Sequence, residues 1–138
     1  MYTIRKQFKM ELAHQLTHAF SKCCSSQVHG HSYICELFFT SEELNKDGMV
    51  IDFGEVKQRI GKYIESWDHC LVMSSNMSQE YLKTLKKYNK NFKIVNYNPT
   101  AENMAKDMFD YVKKYIPELE MVRLYETATG WAEYYEPI

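Results

Sequence analysis

Three absences narrow the class of this chain before any motif is read. None of its four cysteines (Cys23, Cys24, Cys35, Cys70) belongs to a CxxC pair, so the spacing of a cysteine–zinc site is missing. No apolar run approaches the roughly 20 residues of a membrane-spanning helix, and a membrane partner is not expected. The formal net charge is only -1, which excludes nucleic-acid or anionic-membrane binding driven by bulk charge. Repeats and low-complexity tracts are also lacking. Residues Met1 to Met10 alternate apolar and basic side chains without the apolar block of a signal peptide. A cytoplasmic protein with reduced thiols is the expectation. What is present is a globular balance, 45% hydrophobic and 25% charged. At 138 residues it is expected to form one domain, residues 1–138.

Along the chain, Tyr2, Ile4, Phe8, Met10 and Leu12 alternate with polar residues, the period of a half-buried strand, and His14 continues its inward parity. Residues 15–28 show no period and are expected to be a long loop. A second strand runs from about His29 to Thr40, and Asp47-Gly48 then marks a turn. Phe53, Val56, Ile60, Tyr63, Ile64 and Trp67 have helical spacing, with Asp52 as N-cap. A more polar helix is expected over residues 78–90, and a short extended stretch over Phe92 to Tyr97. Thr100 caps a further helix whose buried stripe is Met104, Met108, Tyr111, Val112 and Tyr115, and Pro117 stops it. Residues 121–127 and 131–136 form a hairpin around Thr129-Gly130. The sum is an α+β layer: a four-stranded antiparallel sheet with helices on one face, whose open edges require an oligomer.

The densest chemistry is His29-Gly30-His31. Residues i and i+2 of a strand point the same way, so both imidazoles can reach one ion, and His14 lies on the neighbouring strand's inward face. Three neutral histidines with one open position suit catalytic Zn²⁺; three separately satisfied histidines are the plain alternative. Gly30 is expected to let the backbone bend there. His18 is either a fourth ligand or a group just behind the ligands. Asp68-His69 reads as an acid/base pair or as a histidine at a helix end. Cys23 and Cys24 precede the HGH in a loop that must pass near such a site, as activated or inert thiols; Cys35 and Cys70 read as packing residues. Glu126 shares the parity of Val122 and Leu124, and its inward carboxylate pairs either with a heterocycle's N–H donors or with Arg123 or a lysine. Lys83, Lys86, Lys87, Lys90 and Lys93 are better explained as a solvated helix face than as a triphosphate site.

These residues resemble the 6-pyruvoyl-tetrahydropterin synthase and 6-carboxy-tetrahydropterin synthase family. The matching segments are FKMELAHQL, KCCSSQVHGHSY, GMVIDFGEVK, the WDH of residues 67–69, NPTAEN and the YET of residues 125–127, in the family's order. The resemblance implies a T-fold with two main helices, assembled as a homo-hexamer (a dimer of trimers) around a barrel. It implies a zinc-dependent lyase acting on 7,8-dihydroneopterin triphosphate, with His14, His29 and His31 as ligands. Cys23, or Cys24 in its place, would remove a carbon-bound proton. Asp68 and His69 would act as an acid/base pair across a subunit boundary. Glu126 would anchor the pterin, assisted by Thr127, Thr100 and Glu102. The expected branch is 6-carboxy-5,6,7,8-tetrahydropterin synthase, on the way to queuosine. The alternatives are the 6-pyruvoyl enzyme, whose CxxxxxHGH spacing Cys23 reproduces, a side-chain-cleaving variant, and a non-catalytic zinc- or pterin-binding module. Gln15 stands where an arginine often follows the first histidine, so a phosphate contact is expected to be missing. Residues 74–98 are expected to add a lid or a surface helix.

Overall fold

The computed structural model describes residues 1–138. The chain runs β1 (Tyr2–His14), α1 (Lys22–Ser25), β2 (His29–Ser41), α2 (Phe53–Glu65), β3 (Cys70–Ser74), α3 (Gln79–Tyr88), β4 (Phe92–Val95), α4 (Ala101–Tyr115), β5 (Leu119–Tyr125) and β6 (Trp131–Tyr134). The expected antiparallel strands are the contiguous set β1-β2-β5-β6. The sheet is wider than expected, however: it has six strands in the order β4-β3-β1-β2-β5-β6 and is mixed, because β3 runs parallel to β1 and β4 parallel to β3.

β1 and β2 pair along their whole length, from Tyr2↔Ser41 to His14↔His29. Their period-two patterns put Met10, Leu12, Tyr33, Cys35, Leu37 and Phe39 on one buried face. Helices α2 and α4 cover it with Val56, Ile60, Ile64, Met104, Met108 and Val112. Tyr63 of α2 and Tyr111 of α4 stack with ring centres 3.6 Å apart, locking the two helices together. The three longer helices are capped: Asp52 accepts from the Gly54 N–H and Thr100 from Asn103, as expected, and Ser78 accepts from Tyr81. Gly48, in the expected turn, has φ of 78°, a conformation glycine adopts without steric cost.

Two expectations change. Residues 15–28 are not loop throughout, since Lys22–Ser25 form one helical turn carrying both vicinal cysteines. Gly30 does not bend the strand. It sits in the regular ladder opposite Ala13, and a Cβ there would lie 3.4 Å from the Leu12 carbonyl, an ordinary contact. The added segment 74–98 supplies α3, which packs Leu82 on Leu71 and Met73 on the sheet face away from α2 and α4.

Candidate metal centre and the adjoining cavity

The ends of β1 and β2 build the centre. His14 and His29 are the last rung of the ladder, and His31 is the next inward residue of β2. One ring nitrogen from each of the three histidines lies within 4.8 Å of the others. His14 is buried, while His29 and His31 are half-buried.

The hydrogen bonds fix which nitrogen is free. His14 Nδ1 is 2.7 Å from the Pro99 carbonyl oxygen, an acceptor only, so Nδ1 carries the proton and Nε2 presents its lone pair. That Nε2 lies 3.1 Å from His29 Nε2. His31 Nε2 is buried with no hydrogen-bond partner, and Glu126 Oε1, at 3.7 Å, is too far to serve as one. An orphaned nitrogen beside two others converging on the same space is costly in a metal-free protein. A cation bound by all three removes the cost, so the residues fit a metal ion. Burial holds His14 below the usual histidine range against the opposing Pro99 carbonyl, and the His29 and His31 rings act in the same sense as burial. Neutral imidazole is the ligating form.

Glu126 follows β5 and points inward as its parity requires. Arg123 does not pair with it, bonding Glu133 at 2.6 Å and facing Glu36 at 3.6 Å. Glu126 instead reaches Tyr33, whose hydroxyl is 3.4 Å from Oε2 and 3.3 Å from His14 Nε2. Tyr33 thus joins the histidine cluster to the carboxylate. Its ionisation is pushed well up, first by burial and then by Glu126, so the hydroxyl keeps its proton to donate. That link was missed in the sequence, although Tyr33 shares the parity of His29 and His31. Beyond Glu126 opens a cavity of about 310 Å³ whose lining includes Glu102, Thr127, Gly130, Trp131 and Glu133. Trp131 and Glu133 carried no sequence signal. Thr100 and Thr127 already have tasks, Thr100 capping α4 and Thr127 accepting the Gly130 N–H at 3.0 Å to close the β5–β6 turn.

The remaining candidates lie apart. Asp68 Oδ1 accepts the Glu11 N–H at 2.8 Å, and its other oxygen is 3.8 Å from His69 Nε2. His69 has φ of 55°, a left-handed conformation costly for a residue with a Cβ. It lines a cavity of about 580 Å³ with Glu11, Gly30, Ser32 and Lys90, whose walls include His31 but neither His14, His29 nor Glu126. Within one chain, then, Asp68 and His69 are not assembled with Glu126. His18 is outside the cluster, its Nδ1 3.1 Å from Thr17 Oγ1. Gln15, in the place of the expected arginine, is buried and ties two elements together. It donates to the Ser25 carbonyl at 2.9 Å and accepts from the Tyr81 hydroxyl at 2.6 Å.

Of the cysteines, Cys35 and Cys70 are buried, and burial pushes the Cys35 thiol up to about 12. Cys23 is exposed and Cys24 half-buried, with sulfurs 3.7 Å apart. The Ser21 hydroxyl and then the Cys24 thiol lower the Cys23 pKa, whereas burial raises that of Cys24. Lys93 leaves the lysine face to sit 3.7 Å over the Trp67 ring.

Known proteins share this architecture. A solved structure of an uncharacterized protein from Wolinella succinogenes superposes with a TM-score of 0.79 at 20% identity, covering 99% of this chain and 98% of that one. The 6-pyruvoyl tetrahydropterin synthase of Caenorhabditis elegans superposes at 0.72 with 23% identity, covering 99% and 96%. At such identities these two speak for the T-fold alone. In sequence, the chain is 38% identical over 128 residues to the 6-carboxy-5,6,7,8-tetrahydropterin synthase of Aquifex aeolicus, covering 84% of this chain and 77% of that protein. It is 33% identical to the enzyme of the same name from Haemophilus influenzae, over 99% of this chain and 100% of that one. The model of the 6-pyruvoyl tetrahydropterin synthase family matches residues 3–137. With nearly the whole chain inside that match, this protein belongs to the 6-pyruvoyl tetrahydropterin synthase family.

Proposed function

We propose that this chain is a zinc-dependent 6-carboxy-5,6,7,8-tetrahydropterin synthase acting on 7,8-dihydroneopterin triphosphate in the cytoplasm, as a single-domain subunit. The observation that carries the reading is the convergence of three imidazole nitrogens beside an inward carboxylate and its cavity. Relatives named 6-carboxy-5,6,7,8-tetrahydropterin synthase support the activity, and a place on the route to queuosine is what the family resemblance implies. His14, His29 and His31 would hold the ion, an all-nitrogen set that suits zinc. Bound zinc supplies Lewis acidity toward the substrate's side-chain oxygens.

The chain's own groups do the rest. Glu126 accepts two parallel N–H bonds from the pterin, with Tyr33 steadying its other lone pairs and Glu102 and Thr127 closing the cavity. Cys23, held by the Ser21 hydroxyl toward its thiolate, takes a carbon-bound proton, and Cys24 is the alternative base. Asp68 and His69 handle the complementary proton from a neighbouring copy. Their separation from Glu126 within one chain supports a site shared between subunits, and a homo-hexamer supplies the neighbours. Much of β1 also has an open edge, since β3 pairs only with Leu12, Ala13 and His14.

A second reading, the 6-pyruvoyl enzyme, is favoured by the CxxxxxHGH spacing from Cys23. Incubating the zinc-loaded protein with 7,8-dihydroneopterin triphosphate and identifying products by mass spectrometry separates the readings. A carboxy product with acetaldehyde is expected. A pyruvoyl product selects the second reading, and absence of turnover overturns both.

A further inference from the structure

Outside the histidine cluster, two thiols meet at the short helix α1. Cys23 and Cys24 are adjacent in sequence, and their sulfurs are 3.7 Å apart. Cys23 is exposed, while Cys24 lies half-buried behind it. The helical turn that carries them is slight: no residue of α1 is buried. Its backbone is held by Leu16 N–H to Cys24 O at 2.8 Å, Cys24 N–H to Ser21 O at 3.1 Å and Ser26 N–H to Lys22 O at 2.8 Å. Adjacent Cα atoms are about 3.8 Å apart, below the usual span of about 4.4 Å or more across a disulfide. Closing the sulfurs to about 2.05 Å therefore opens the α1 turn, which contains no buried residue.

We propose that Cys23 and Cys24 form a vicinal dithiol, a reversible modification site that a low-molecular-weight disulfide converts into a Cys23–Cys24 disulfide. The geometry assigns the order. The outer Cys23 thiolate attacks one sulfur of the reagent, forming a mixed disulfide and releasing one reagent thiolate. Cys24 then loses its proton to water and attacks Cys23 Sγ, forming the internal disulfide and expelling the second reagent thiolate. Two protein thiols are oxidised and one reagent disulfide is reduced to two thiols. Cys35 and Cys70 stay silent, being buried. Resting on the proposed function, a further consequence is that the oxidised pair has no thiolate to take a proton, so turnover is lost until a dithiol reductant restores it.

The test uses the native protein and one equivalent of an aromatic disulfide, bis(3-carboxy-4-nitrophenyl) disulfide. Both aryl thiolates are expected to be released from each reagent molecule, leaving a chain lighter by two hydrogens with no aryl adduct. Peptide mapping should place the bond at Cys23–Cys24. In Cys24→Ser, a single aryl thiolate should be released, and the adduct should persist on Cys23. A stable aryl adduct on the wild-type chain, or the bond at any other pair, overturns the proposal. None of these readouts uses pterin turnover, so the dithiol stands or falls separately from the proposed activity.

Discussion

Zinc should stabilise this protein strongly, and removing one imidazole should abolish most of the effect. The ligand set is already in place: His14 is aimed by the Pro99 carbonyl, and His31 Nε2 is buried without a partner. Little ordering is then left to oppose binding. A ligand held at a thousandfold excess over its dissociation constant stabilises the folded state by about 4 kcal/mol. Unfolding entropy near 2.1 cal/mol/K per residue, over 138 residues, comes to about 0.29 kcal/mol/K. The midpoint should therefore rise by about 14 °C on zinc addition. Each tenfold loss of affinity, about 1.4 kcal/mol, takes back about 5 °C. The assay is differential scanning fluorimetry of chelator-treated protein with and without zinc. Wild type and His18→Ala should share the full shift, and His31→Ala should lose most of it. An equal shift in His31→Ala, or its loss in His18→Ala, would refute the assignment of the three nitrogens.

Two further substitutions probe the groups around that centre. Tyr33→Phe removes a hydroxyl whose single proton goes to Glu126 Oε2 at a long 3.4 Å, with His14 Nε2 3.3 Å away. It should cost about 1 kcal/mol, or about 3 °C by calorimetry, and raise KM about fivefold while leaving the zinc shift intact. Loss of the zinc shift would instead place the hydroxyl among the ligands. His69→Asn puts a residue tolerant of left-handed backbone at φ 55°. It should match or exceed the wild-type midpoint by a degree or two and lose turnover by at least about a hundredfold, the lower range for a general acid or base. Unchanged kinetics would remove His69 from the chemistry.

The parts of the fold legible in the sequence were those with a free face. β1, β2 and the helices each bury one side, so period two or 3.6 appears in their residues. β3 escaped because Cys70–Ser74 is buried at every position, and a strand covered on both faces shows no alternation. With β3 unseen, the parallel edge of the sheet was unseen too. In the site, parity alone placed His14 beside the HGH and turned Glu126 inward, because side-chain direction in a strand is a local property. Parity carries no information about what lies across the core. The Pro99 carbonyl that sets the His14 tautomer comes from 85 residues away in sequence. The stance of Asp68 and His69 likewise depends on bonds to Glu11 that no local pattern encodes. The one-turn helix under the cysteines was hidden by its brevity, since four residues make too little of a period to detect.

The β1–β2 ladder ends with His14 opposite His29, after running unbroken from Tyr2 opposite Ser41. A slip of one residue along it would turn one strand's inward set outward and carry off the shared face either His14 of β1 or both His29 and His31 of β2. The ion site therefore acts as a vernier on the two longest strands, read at the end where an error in alignment is fully expressed. Only chains paired in true register present three nitrogens to a metal. A metal ion available during folding would thus draw the population toward the correctly aligned sheet, so that ligation would also inspect the scaffold that presents the three nitrogens.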